Sequence, residues 1–290
     1  MRVLLPLAAL ATAMIPLTAA MVSAQPQTTQ PAAQSSGLSA AARQTLGVAL
    51  SHPRREADRT RDEWRHPAET LEFFRVEPGM TVVDYIPSGG WYTRVLVPYL
   101  GEAGKYIGLN PDVSGASAQL QKYFADLGTT FPARAAEWTG APASRVAAYN
   151  TDGLPEELNG TVDRVLIFRE MHNLHRNGLL YRELSAVRSL LKDDGLVGIV
   201  QHRAKANAPA AYTNGSKGYL REKDVIGLME AHGFEMVAQS EVNANPKDLA
   251  DHPQGVWSLP PNLRQGEEDR ARFTAIGESD RMTLLFRKRS

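Results

Sequence analysis

From residue 81 onward the chain alternates short β-branched runs with helix-length segments, and this alternation restricts its fold more than any other feature. Residues 81–86 (TVVDYI) read as a buried strand, closed by the tight turn Pro87-Ser88-Gly89-Gly90. A helix at 91–100 and a second strand at 105–110 follow, then a second helix at 115–127. A weak strand at 145–149 precedes a strong one at 162–168 (VDRVLIF), a helix at 179–191 and a fifth strand at 195–201. The helix at 221–231 is closed by Gly233, and two more strands are expected at 234–242 and 281–286. Strands separated by helices need crossover connections, so the sheet is mainly parallel. Residues 243–275 hold Pro246, Pro253, Pro260 and Pro261 without clear helical spacing, which predicts a functional loop or covering flap.

The segment before the alternation divides in three. Met1-Arg2, the apolar run 3–17 and the small residues Val22-Ser23-Ala24 have the layout of a secretory signal peptide, cleaved after Ala24. Residues 25–37 (QPQTTQPAAQSSG) are polar and aperiodic and read as a disordered linker. Residues 38–78 form an N-terminal helical extension: Ser39 caps a helix to Leu50, 54–64 is dense in charge, and Pro67 starts a helix running to Phe74. The α/β domain then spans 79–290. Export to the periplasm or beyond is expected, and no later segment is apolar for long enough to hold the protein in a membrane.

Charge and cysteine narrow the chemistry. Lys plus Arg and Asp plus Glu are both 32, so no global charge favours nucleic acid. The run Arg54, Arg55, Arg59, Arg61 and Arg65 is interleaved with acids and reads as a solvated helix face. With no cysteine, thiolate metal sites and cysteine nucleophiles are excluded, and chemistry falls to His, Asp, Glu and Asn.

In an open parallel sheet, ligands sit outside the carboxyl ends of the strands. That rule selects Pro87–Trp91 after the first strand, Arg169-Glu170-Met171-His172-Asn173 after the fourth, and Gln201-His202-Arg203 after the fifth. His172 is the first candidate for a general base, because an imidazole titrates near neutral pH. The alternative is that it only hydrogen-bonds loop backbone. His202, Glu170 and Asn173 accompany it as catalytic candidates. His172 and His175 in an HxxH pair, with His202, also admit a metal site, although the ligand set is short. Trp91 and Tyr92 either line a pocket or pack on the sheet, and Trp257 either closes over substrate or staples the flap.

The order of elements resembles a class I S-adenosylmethionine-dependent methyltransferase, a Rossmann-like fold whose seven-stranded sheet ends in an antiparallel hairpin. The local wording is closest to a group of exported bacterial proteins described as predicted methyltransferases. Arg65-His66-Pro67-Ala68-Glu69-Thr70, Gly89-Gly90-Trp91-Tyr92-Thr93, His172-Asn173, 243–247 (NANPK), 251–257 (DHPQGVW) and 277–282 (GESDRM) carry that likeness. The resemblance implies S-adenosylmethionine as cofactor. It implies that Asp84 begins the first cofactor motif, whose glycine positions fall at Ile86, Ser88 and Gly90, with Gly89 and Trp91 beside them. Asn110 takes the place of the ribose-binding acid, with Asp112 just beyond, and Asp152 that of the acid near the adenine. The expected function is methyl transfer to an unidentified small molecule. The alternatives are a non-methylating periplasmic binding protein, or a metal-dependent enzyme, that reuses the fold. The sequence leaves the oligomeric state open.

Overall fold

The computed structural model describes residues 37–125 and 127–289. The expected signal peptide and all but Gly37 of the expected linker lie outside the described residues. Among those described, no helix is long and apolar enough to cross a membrane.

The strands are β1 (Thr81–Tyr85), β2 (Lys105–Asn110), β3 (Val146–Asn150), β4 (Val162–Phe168), β5 (Leu191–Ala204), β6 (Leu220–Arg221), β7 (Phe234–Ser240) and β8 (Arg281–Lys288). The sheet runs β3-β2-β1-β4-β5-β8-β7, and the two-residue β6 pairs with β5. β1 to β6 pair in parallel, whereas β8 is antiparallel to both β5 and β7. This is the mainly parallel sheet with an antiparallel end that the sequence implies, with β6 as an eighth strand.

Both faces of the sheet are buried, as parallel strands require. Successive residues point to opposite faces, so Val82, Tyr106 and Leu166 join one core, and Val83, Ile107 and Val165 the other. The first core is covered by helices Ala40–Ser51, Pro67–Phe73, Thr93–Leu100 and Leu127–Thr139. The second lies beneath Leu180–Leu190 and Glu222–Ala231.

Several elements differ from expectation. The second helix covers Ala118–Phe124, and a further helix, Leu127–Thr139, follows it. Gly128 and Pro132 hide this helix from a periodicity search, yet Phe131 and Ala135 anchor it in the core. The charged run at 54–65 is not a solvated face. It breaks into single helical turns in which Arg55 and Arg65 are buried and Arg61 is half-buried, while Arg54 and Arg59 stay exposed. Arg55 is fully buried and donates to Asp62 at 2.8 and 3.1 Å, and Arg94 donates twice to Asp58 at 2.5 and 2.8 Å.

The segment between β7 and β8 carries a short helix, Arg270–Ile276, and is pinned by buried polar groups. Asp248 accepts from the Tyr219 hydroxyl, His252 Nε2 and the backbone N–H groups of Ala250 and Asp280. Asn245 Nδ2 donates to the carbonyls of Ile276 and Glu278, and Asn243 Nδ2 to Thr70 and Thr283. The residues of the NANPK, DHPQGVW and GESDRM motifs thus tie the segment to the fold. Asp248→Ala would leave a buried hydroxyl and imidazole without an acceptor, at a cost of about 3 kcal/mol or more. Urea denaturation should show this loss, with faster hydrogen exchange across residues 243–280.

Candidate functional site

The carboxyl ends of β1, β2, β4 and β5 open onto three adjoining cavities. The first, about 430 Å³, is lined by Ser88, Gly89, Asn110, Phe124, Phe131 and Arg134 among others. The second, about 430 Å³, lies among Arg65, Arg169, His172, His202, Trp257 and Glu278. The third, about 380 Å³, links them: it shares Ser88 and Gly89 with the first, Arg65, Arg169 and Glu170 with the second, and reaches Asp84 and Trp91.

The turn after β1 shapes the first and third cavities. Ile86, Ser88 and Gly90 all take positive φ, at 56°, 49° and 74°. An L-residue in this region costs about 1–2 kcal/mol, and a β-branched one is a marked outlier. The sequence shows glycine at only one of the three positions, but the backbone keeps the left-handed conformation at all three. Gly90 has a second reason to be glycine, since a Cβ there would stand 2.3 Å from the Trp138 ring. A Cβ on Gly89 would meet nothing within 4 Å.

Two of the carboxyl groups that border the crevice, Asp84 and Glu170, are shifted upward. Asp84, buried at the end of β1, accepts from the Tyr106 hydroxyl at 2.8 Å. Burial pushes it up to about 7, against the opposing pull of Tyr106 and Arg169. Burial likewise raises Glu170 to about 7, although Asn173 Nδ2 donates to it at 2.6 Å. Asn110 lines the first cavity from the end of β2. Asp112, just beyond, is engaged by Arg182 and by the backbone N–H of Ser114.

The two histidines face each other, with ring centroids 5.7 Å apart. Gln201 sets the tautomer of His172. Its Nε2 donates to the carbonyl of Gly218 at 2.8 Å, so its Oε1 must accept, and His172 Nδ1 lies 3.4 Å from that oxygen. The proton therefore sits on Nδ1, leaving the Nε2 lone pair free. Burial lowers His172 to about 4 and His202 well below its ordinary value. Both are neutral at physiological pH. His202 Nδ1 pairs with Ser279 Oγ at 2.6 Å. The HxxH pair lies on the short helix Met171–Arg176, but among the described residues no group of three or more His, Asp or Glu could hold a metal ion.

One sequence-selected residue, Asp152, stands apart from the crevice. Asp152 is exposed on the turn Thr151–Gly153 and lines none of the three cavities. Its neighbour Thr151 instead donates to Glu183 at 2.6 Å. Trp91 does border the third cavity, but its ring already carries the guanidiniums of Arg65 at 4.6 Å and Arg55 at 5.0 Å. Tyr92 borders the same cavity, with its ring stacked on Phe168. Trp257 packs edge-on to His172 and lines the second cavity.

Sequence reasoning missed Phe131, Arg134, Arg65 and Glu278 as lining residues and gave Arg169 no role. For Arg65 and Glu278 a signal existed, their places in the RHPAET and GESDRM motifs. For Phe131 and Arg134, helix 127–139 had to be seen.

The raised Asp84 fixes a pH effect. The unfolded carboxyl titrates near its ordinary 3.8, the folded one near 7. Stability due to this group is full below the lower value and is lost as pH rises through the upper one. Asp84→Asn should therefore gain on the wild type between pH 4 and pH 8, by a few kcal/mol at most. Scanning calorimetry at the two pH values measures the difference, and a reversed trend would contradict the assignment.

No family model matches this chain, and no curated protein does. Among solved structures it is similar to a candidate sarcosine dimethylglycine methyltransferase from Galdieria sulphuraria, with 15% identity over 81% of this chain and 88% of that one, and a TM-score of 0.51. It is also similar to a SAM-dependent methyltransferase from Aquifex aeolicus (19% identity, 69% and 93% covered, TM-score 0.47). A third is the Burkholderia thailandensis 1,6-didemethyltoxoflavin-N1-methyltransferase with bound 1,6-didemethyltoxoflavin and S-adenosylhomocysteine (15% identity, 87% and 89% covered, TM-score 0.45). Sheet order and the Galdieria likeness together give the chain the fold of class I methyltransferases.

Proposed function

We propose that this chain is an exported S-adenosylmethionine-dependent methyltransferase that acts on a small molecule. The observation that carries this reading is the turn 86–90. Its three left-handed residues fall on the glycine positions of the methyltransferase motif, and two of them hold that shape despite bearing side chains. Strain of this kind persists only where the surrounding structure imposes it, and it concentrates at binding sites. The export half of the proposal rests on residues 1–24 of the sequence.

The residues around the first cavity suit the cofactor. Ser88 and Gly89 offer a close backbone approach, Asn110 a hydrogen-bonding amide where a carboxylate is usual, and Phe131 and Leu127 an apolar wall. S-adenosylmethionine, when bound, supplies an electrophilic methyl group on a sulfonium. The chain's own part is to align the acceptor and take its proton. His172 is placed for this by Gln201, which keeps Nδ1 protonated and leaves Nε2 to receive a proton. Burial makes His172 a weak base, so it can take only a proton that turns strongly acidic as the methyl group arrives, such as that on an alkylated nitrogen. Glu170 and Asn173 hold each other at the mouth of β4 beside it.

Calorimetric titration of the purified chain with S-adenosylhomocysteine tests the reading. Saturable binding is expected, and Gly89→Ala should weaken it by about tenfold or more, because the added methyl enters the ligand's space. The same variant should melt at the wild-type temperature, since its Cβ meets no protein atom. Absence of binding at millimolar ligand would overturn the proposal.

A further inference from the structure

The second cavity has more positive charge than its acids neutralise. Arg61, Arg65, Arg169, Arg176 and Arg264 line it, against the carboxyls of Glu170 and Glu278. Glu278 is already shared: Arg61 lies 2.5 Å from it, Arg281 3.1 Å and Arg65 3.4 Å. Burial raises Glu170 to about 7, so it carries only part of a negative charge near neutral pH.

Two of these guanidiniums stand out. Arg65 has a side chain only 4% exposed, and its Nη1 is buried without a hydrogen-bond partner. Leaving such a group unpaired is costly, so native structures seldom do it without a reason. Arg169 follows β4 directly, lines both the second and third cavities, and has no side-chain hydrogen bond or ion pair among the described residues. Its charge acts on its neighbours: with burial it brings Arg65 down to about 8, and it disfavours protonation of His172 and His202. At the rim, Arg264 lies over the Trp257 ring at 4.7 Å.

We infer that this cavity is a binding site for a small anion and that the acceptor molecule carries a carboxylate or phosphate group seated between Arg65 and Arg169. The first half stands on the cavity alone; the second rests on the methyltransferase reading. A guanidinium presents paired donors that match a carboxylate or phosphate. An anion in the cavity gives the Arg169 guanidinium an acceptor and screens Arg65 from Arg169. It also places the negative group beside His172, so that the rest of the acceptor lies within reach of Nε2.

Titration calorimetry of the full chain tests this, with inorganic phosphate and benzoate as separate probes at low salt, each with and without saturating S-adenosylhomocysteine. One probe or both should bind at a single site, and which one binds identifies the anionic group. Arg169→Gln and the rim variant Arg264→Gln should each weaken binding, the first by about tenfold or more. Arg43→Gln, which removes the same charge from an exposed pair with Glu72 remote from the cavity, should leave it unchanged. Failure of both probes to bind, or equal affinity in the Arg169 and Arg43 variants, would overturn the anion site. Displacement of the anion by S-adenosylhomocysteine would overturn the acceptor half, because the charge would then serve the cofactor's carboxylate. Anion binding by a chain that ignores S-adenosylhomocysteine would keep the site and remove the methyltransferase reading, so the two fail separately.

Discussion

One buried carboxylate joins the ends of this chain. Glu278 precedes β8, and the guanidiniums it holds come from both sides: Arg61 and Arg65 from the helical segment before β1, and Arg281 from β8 itself. Burial alone would raise its carboxyl, but the combined positive charge of Arg281, Arg65, Arg61 and Arg169 holds it down at about 2. The cluster fixes where the N-terminal helices lie over the sheet and closes the wall of the crevice. It also leaves that crevice cationic, since one carboxylate cannot neutralise three guanidiniums. Stability and ligand preference thus share a cause. The ion pairs that shut the fold are the ones that leave Arg65 short of a partner.

The rest of the crevice follows from sheet topology. The parallel strands β1, β2, β4 and β5 deliver Asp84, Asn110, Arg169 and His202 to one edge, and no loop has to be long to bring them together. The segment between β7 and β8 supplies the remaining wall through Trp257 and Glu278, held in place by Asp248 and Asn245. Burial then sets the protonation pattern. Both histidines are neutral, Asp84 and Glu170 hold protons well above their usual range, Glu278 is ionised among its arginines, and the arginines remain the main charges.

The sheet was legible in the sequence because it is written in periodicity. Residues 81–86 and 162–168 are β-branched runs of strand length, and β1 and β4 occupy them to within a residue. The strand-end rule brought His172, His202, Glu170 and Asn173 to one cavity. What failed to read depends on partners distant along the chain. Arg65 looks like a surface residue until Glu278 is found opposite it, 213 residues away. Helix Leu127–Thr139 has no strong apolar period, yet it supplies Phe131 and Arg134 to the first cavity and Trp138 against Gly90. The turn 86–90 misled in the other direction. Ile86 and Ser88 argue by residue type against a glycine-like turn, whereas the backbone around them imposes one.

On the proposed function, the strained turn 86–90 receives a ligand. A crystal structure of the chain soaked with S-adenosylhomocysteine tests it most directly. Density should run between Ser88-Gly89 and Asn110, with Ile86 and Ser88 still at positive φ. An empty crevice at saturating ligand, or a turn relaxed to extended φ at Ile86 and Ser88, would contradict it.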